Sequence, residues 1–444
     1  MFSYLKLNNF KSFSSLNANF LGKAKRAKKI ICIYGENGSG KSNLIYSFMF
    51  LKNTLETLRT QNLFQELLSK DKEEIRSKEE HLKLMFSKKY NQLEQLVKEA
   101  RYIGAQDKMK IEYGFIIDGK RGYYSLTFNN KNKVDSEKLF FVLDNRSGFL
   151  FELSESKIHL SPSIFVDSEY KDEILTLIEK FWGKHTLLAI LLNEIEEKNY
   201  NYISKRISKS LLKVINFLRK FSVQCKVGSR GEMGYTSGIH KVFFDLNEGT
   251  INKDEQNILN NIENLLRTFF TSIYADVKDV YYEKRFTDTQ INYKLFLKKI
   301  IGDKLINLDF NLESTGTHKL LEILPLILQS TSGGVVLIDE IDCGIHDLLI
   351  TDILTGLEES ISGQFICTTH NTHLMEQINK DSIHFLNVDI KGLKALKSVT
   401  DYDERTQDNH NVRIRYIKGM YKAIPNINYI DYDELSENYN QIKR

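Results

Sequence analysis

The chain has 444 residues, 41% of them apolar and 27% charged, which describes a folded globular protein rather than a disordered or fibrous one. Its 62 basic residues nearly balance 58 acidic ones, so the net charge of +4 neither announces a nucleic-acid binder nor rules out a local basic groove. The longest wholly apolar stretch, Leu187–Leu192, is far too short to span a bilayer.

Alternation in Met1–Phe20 predicts a short antiparallel pair that begins at Phe2, so no signal peptide is expected and the expected compartment is the cytoplasm. Cys32, Cys225, Cys343 and Cys367 are scattered without a C-x-x-C pair, and three of them lie in or beside apolar runs, which favours reduced thiols. A basic turn, Lys23–Lys29, leads into the apolar run Ile30–Tyr34, which reads as a buried strand.

The octet after that strand, Gly35–Ser42, reads GENGSGKS and satisfies G-x-x-x-x-G-K-[ST], with helical spacing from Asn43 onward. Glycines let successive N–H groups turn inward on a phosphate, with a helix N-terminus behind them. Gly35, Asn37, Gly38, Ser39, Gly40, Lys41, Ser42 and Asn43 are therefore the nucleotide-binding candidates. Lys41 is expected to reach the β- and γ-phosphates and Ser42 to hold Mg²⁺. A nucleoside triphosphate with Mg²⁺ is the expected ligand.

Lys-, Glu- and Leu-rich spacing over 51–101 predicts two helices. From Lys110 to Pro162 the period drops to two, with Asp118-Gly119 as a turn signal. Helical spacing returns over Ser168–Phe221, a hairpin is expected over Gly228–Leu246, a helix over Lys253–Phe270, and strands over Val277–Leu312. The run Gly334–Ile338 then reads as a parallel strand ending in Asp339-Glu340. Asp339 suits a Mg²⁺ shell and Glu340 the attacking water. Two acidic residues opening a solvated loop is the plain alternative, and the P-loop in the same chain favours the catalytic reading.

A third strand, Gln364–Thr369, places His370 at its end, where it can donate to a γ-phosphate or simply start a helix. Cys367, His370 and His373 match no common tetrahedral zinc spacing. The guanine-reading N-K-x-D is absent, because Asn252-Lys253-Asp254-Glu255 ends in Glu.

The order P-loop, Leu312–Lys319 (LESTGTHK) before a helical run, Ile338–His346 (IDEIDCGIH) and Thr368–Asn371 (TTHN) resembles an ABC-type ATPase head. With Asn9–Phe13 (NFKSF), these segments are similar to the RecF-like, SMC-related and OLD-like prokaryotic ATPases rather than to transporters with LSGGQ. The resemblance implies an α/β fold: a P-loop head with a mainly parallel core sheet, an antiparallel β subdomain and helical insertions. Its expected boundaries are a head over 1–50 and 305–395, helical insertions over 51–107 and 166–226, a β subdomain over 108–165, a β/α segment over 227–304 and a tail over 396–444.

The resemblance further implies that the nucleotide is ATP and that it closes a homodimer, with Ser314 and Gly316 of one copy capping the γ-phosphate held at Lys41 of the other. Asp342 would communicate across that interface and His370 would sense the γ-phosphate. The tail Asn411–Ile427 is similar to a pattern of ATPases in phage-defence loci, and equally reads as a short basic helix with a glycine turn. The small acidic cluster Asp401, Asp403 and Glu404 reads as a solvated loop, so effector chemistry is expected in a separate partner protein. Clamping of DNA by a RecF-like dimer and a scaffold that binds ATP without turnover are the alternatives.

Overall fold

The computed structural model describes residues 1–22, 24–68, 92–143, 146–226, 232–402, 411–424 and 430–442. Strands β1 (Phe2–Phe10), β2 (Phe13–Asn19) and β3 (Ile30–Tyr34) precede helices α1 (Lys41–Leu55), α2 (Thr57–Leu68) and α3 (Leu93–Ala100). The middle of the helical segment expected over 51–101 lies outside the described residues. There follow β4 (Met109–Ile117), β5 (Lys120–Phe128), β6 (Val134–Leu143), β7 (Arg146–Ser154) and β8 (Lys157–Leu160). Helices α4 (Ser168–Phe181), α5 (Leu187–Lys198), α6 (Tyr200–Ser204) and α7 (Lys209–Lys220) lead to β9 (Ser222–Lys226) and β10 (Glu232–Tyr235).

Next come β11 (Glu248–Asn252), α8 (Gln256–Ile273), β12 (Val277–Phe286), β13 (Gln290–Ile301) and β14 (Lys304–Asp309). The last third contains α9 (Thr315–Thr331), β15 (Val335–Ile338), α10 (Asp347–Ser360), β16 (Gln364–Thr368) and α11 (Leu374–Gln377). It ends with β17 (Ile383–Val388), β18 (Lys394–Ser398), α12 (Val412–Ile417) and α13 (Tyr432–Ile442). Among the described residues no helix is long and apolar enough to cross a membrane.

The central sheet runs β10-β9-β15-β16-β3-β17-β18. Its five middle strands are parallel, and the edges β10 and β18 are antiparallel. Alternation along the middle strands divides the interior into two cores. Ile31, Ile33, Leu337 and Ile366 face one core with α1 and the first sheet, while Ile30, Cys32, Val336, Ile338 and Phe365 face the other with α9 and α10. Helix α1 is buried along almost its whole length, which explains why its sequence is apolar on all sides. Phe48 packs edge-on against Phe2 at 4.7 Å, and the Tyr113 hydroxyl donates to the Ser47 carbonyl at 2.6 Å.

The strands of 108–165 pair antiparallel, as expected, and β4 also pairs with β1, giving one sheet in the order β2-β1-β4-β5-β6-β7-β8. Gln364 ties that sheet to the central one, accepting from Phe2 N at 2.7 Å and donating to Phe2 O at 2.9 Å. Ser222–Lys226 falls within the expected helical insertion but forms β9, parallel to β15. Its sequence, SVQCK, has too few apolar residues to announce a covered strand; its burial comes from its neighbours. The hairpin expected over Gly228–Leu246 is instead β9 with β10, residues 227–231 lying outside the described residues, and Lys241–Phe244 is a 3-10 turn.

The tail clasps the central sheet. Tyr416 and Tyr421 stack on Phe385 of β17 at 5.4 and 4.4 Å, and Arg413 pairs with Glu376 at 3.2 Å. Asp403 and Glu404 of the acidic cluster, and Pro425 of the tail pattern, lie outside the described residues.

Candidate functional site

Strand β3 delivers the glycine octet to the start of α1. Gly40, the residue preceding α1, has φ +108°, and a Cβ there would stand 2.8 Å from Ser12 Oγ and 3.0 Å from Phe13. Only glycine allows both that conformation and that close approach. Asn43 donates to Ser12 Oγ at 2.9 Å, so the β1–β2 turn braces the loop. Asn37 is exposed at the loop apex, and the buried Ser39 hydroxyl has no hydrogen-bond partner among the described residues.

The Lys41 ammonium folds back on the loop, donating to the carbonyls of Gly35 at 2.8 Å and Glu36 at 3.1 Å. Burial pushes its pKa down, and the carboxylates of Asp339, Glu340, Asp342 and Glu36 act against that shift. Residues about 300 positions apart in sequence thus share one electrostatic field.

The strand order explains how. β16 lies between β3 and β15, and Thr368 at its end stands between the glycine loop and the two acidic residues. The Thr368 hydroxyl donates to Asp339 Oδ1 at 2.6 Å and accepts from Glu340 N at 2.7 Å. Asp339 is buried, and its Oδ2 meets no donor at hydrogen-bonding geometry among the described residues. Desolvation raises its pKa, opposed by Thr368 and by the nearby Ser42 hydroxyl. A buried carboxylate oxygen without a partner, beside a hydroxyl, fits an oxygen-seeking Mg²⁺ ion.

Glu340 adopts φ +49°, the left-handed region that non-glycine residues seldom enter and that recurs at functional sites. Its Oε2 accepts from Lys226 of β9 at 2.7 Å, and the same ammonium donates to Cys343 Sγ at 3.1 Å. Those two contacts raise the Lys226 pKa above the ordinary lysine value.

Asp342 accepts from the backbone N of His370 at 2.9 Å, fixing the two loops together. Partial burial and the Lys41 charge lower the His370 pKa, so its imidazole is neutral near pH 7. Lys41, Ser42, Asp339, Glu340, Asp342 and His370 therefore converge within this chain.

Ser314 and Gly316 do not join them by hydrogen bonding. Ser314 is exposed and caps α9, its hydroxyl accepting from Thr317 N at 3.1 Å. A Cβ on Gly316 would lie 2.5 Å from the Gly344 carbonyl, so this turn packs closely on the loop that follows Asp342. Ser314 is exposed and Gly316 partly buried at the N-terminus of a helix of 17 residues.

Sequence reasoning missed the roles of Thr368 and Lys226. Thr368 was visible only as part of a strand, and Lys226 belongs to the unexpected β9; pairing across the sheet assigns both.

The protein-family description "AAA domain, putative AbiEii toxin, Type IV TA system" matches residues 30–376. No curated protein matches the chain. Among solved structures, the "SMC head domain from Thermotoga maritima" is similar over 90% of this chain and 98% of that one, at 13% identity and TM-score 0.38. An Smc head domain with an extended coiled coil, bound to a ScpA domain derived from Pyrococcus furiosus, is similar over 95% and 99%, at 14% identity and TM-score 0.39. An SmcHead bound to the C-winged helix domain of ScpA gives 90%, 97%, 14% identity and TM-score 0.43.

Proposed function

The chain belongs to the AAA domain family described by the AbiEii and type IV toxin–antitoxin names, and from that premise we propose that it is an ATP-hydrolysing molecular switch. The phosphates of ATP lie against the backbone N–H groups of Gly38–Ser42 at the start of α1. Lys41 exchanges its loop carbonyls for β- and γ-phosphate oxygens. Ser42 and Asp339 would hold Mg²⁺, which would supply neutralisation of charge on the phosphate chain. Glu340 orients a water and takes its proton as the water oxygen bonds the γ-phosphorus. The bond from that phosphorus to the bridging oxygen breaks, and ADP and phosphate leave. His370, neutral and exposed, donates to the γ-phosphate.

One observation carries this reading: the buried Asp339 carboxylate, held by Thr368 and next to Ser42, has an Oδ2 that meets no donor at hydrogen-bonding geometry among the described residues. The exposed Ser314, at the start of α9, supports closure of a head-to-tail homodimer around ATP, each copy capping the nucleotide of the other with Ser314 and Gly316. The family's toxin–antitoxin description, together with the tail pattern, supports a role as the ATPase component of an anti-phage defence system with a separate effector protein. Phosphate release from Mg-ATP tests the core of the reading. Wild type should turn over, and Glu340→Gln should bind ATP but slow by about a hundredfold. Equal rates in the two proteins would contradict it.

A further inference from the structure

A second lysine reaches the glycine loop from a distant strand. Lys394 opens β18, and its Nζ donates to the Gly38 carbonyl at 3.3 Å. The same atom lies 3.2 Å from the point where a Cβ on Gly40 would sit and 5.4 Å from the centre of the Phe13 ring. The approach is built by the β17–β18 turn. There Asp389 Oδ1 accepts from Lys391 N at 2.9 Å and Leu393 N at 2.8 Å, and Gly392 takes φ +75°.

Half-buried, Lys394 has lost part of its water, which lowers its pKa, and the Glu36 carboxylate acts against that shift without forming an ion pair among the described residues. A partly desolvated ammonium is costly to leave without an anion. Gly40 is where the amide end of α1 meets whatever the loop holds, so this charge stands at the mouth of an anion site. Lys41 rests on the Gly35 and Glu36 carbonyls, and Lys394 rests on Gly38. Two ammonium groups thus sit on one short loop, both parked on carbonyl oxygens.

We propose that Lys394 is a second cationic contact for the phosphate chain that ADP and ATP share, a nucleotide-binding residue supplied by the edge strand β18. The proposal rests on the nucleotide reading of the Gly35–Ser42 loop. Binding draws the ammonium from the Gly38 carbonyl to a phosphate oxygen. Because the contact is to the shared phosphates, it strengthens the binding of ADP and of ATP alike.

Lys394→Gln separates charge from tethering, because a glutamine amide can still donate to the Gly38 carbonyl. Calorimetric titration with Mg-ADP and Mg-ATP should show both affinities weakened about tenfold in Lys394→Gln, and by similar factors. Lys394→Arg should recover affinity to within about threefold, since it keeps the charge. Wild-type affinity should also fall more steeply with salt than that of Lys394→Gln. Equal affinities in Lys394→Gln and wild type would overturn this proposal alone, and so would a variant that loses only kcat. Failure of the wild type to bind either nucleotide would overturn it together with the reading of the loop.

Discussion

The Thr368 hydroxyl donates to Asp339 Oδ1 over 2.6 Å while accepting the backbone N–H of Glu340 over 2.7 Å. One side chain therefore fixes both the buried carboxylate that suits a metal and the neighbouring residue that suits a base. Thr368→Val keeps the shape and removes these bonds, leaving a buried carboxylate oxygen and an N–H unsatisfied, which costs about 1–3 kcal/mol. ATP turnover should fall roughly tenfold to a hundredfold and require more Mg²⁺ to saturate, with Thr368→Ser restoring most of it. A valine variant with wild-type turnover at limiting Mg²⁺ would show that this bridge positions nothing.

Ser314 lies outside the cluster around Lys41, and among the described residues its hydroxyl caps α9 and meets the Thr317 hydroxyl. Ser314→Arg forfeits that cap, about 1 kcal/mol, too little to unfold the protein. It should leave ATP affinity unchanged and abolish the ATP-dependent mass increase of Glu340→Gln in light scattering. A Ser314→Arg, Glu340→Gln double variant that still doubles in mass would exclude this surface from the dimer contact.

His185 offers a pH test of stability away from the site. It is buried between Thr57 and Gln61, at 2.9 and 2.8 Å, and burial lowers its pKa to about 4 from the ordinary 6.5. The unfolded chain therefore binds this proton at a higher pH than the folded one does. The contribution to stability is complete above about pH 6.5 and is lost as pH falls towards 4. Between pH 7.5 and pH 5 the loss from this group is about 2 kcal/mol. In urea unfolding, His185→Gln should lose correspondingly less stability over that interval. Identical pH dependence in the two proteins would refute the assignment.

What was legible in the sequence was local. Gly35–Ser42 is recognised because its function requires a contiguous string, and Gly334–Glu340 because a strand covered on both faces must be apolar throughout. Other features depend on which strand lies beside which. Ser222–Lys226 is too short and too polar to declare itself, yet it lies beside β15 and brings Lys226 to Glu340. Pairing of β1 with β4 is likewise invisible in alternation, which marks the inward face of a strand but not its neighbour. Lys394 has no sequence signal at all: one lysine after a turn looks like any solvated charge.

Completion of one copy's glycine loop by Ser314 from a second copy, as proposed above, is tested most directly by mixing two disabled variants. Lys41→Ala lacks the ammonium of the loop and keeps Ser314; Ser314→Arg keeps the loop and lacks the cap. Each should release little phosphate alone. Their equimolar mixture should regain turnover, because a mixed dimer contains one site with an intact loop facing an intact Ser314. A mixture as silent as its components, or a Ser314→Arg protein fully active alone, would contradict the account.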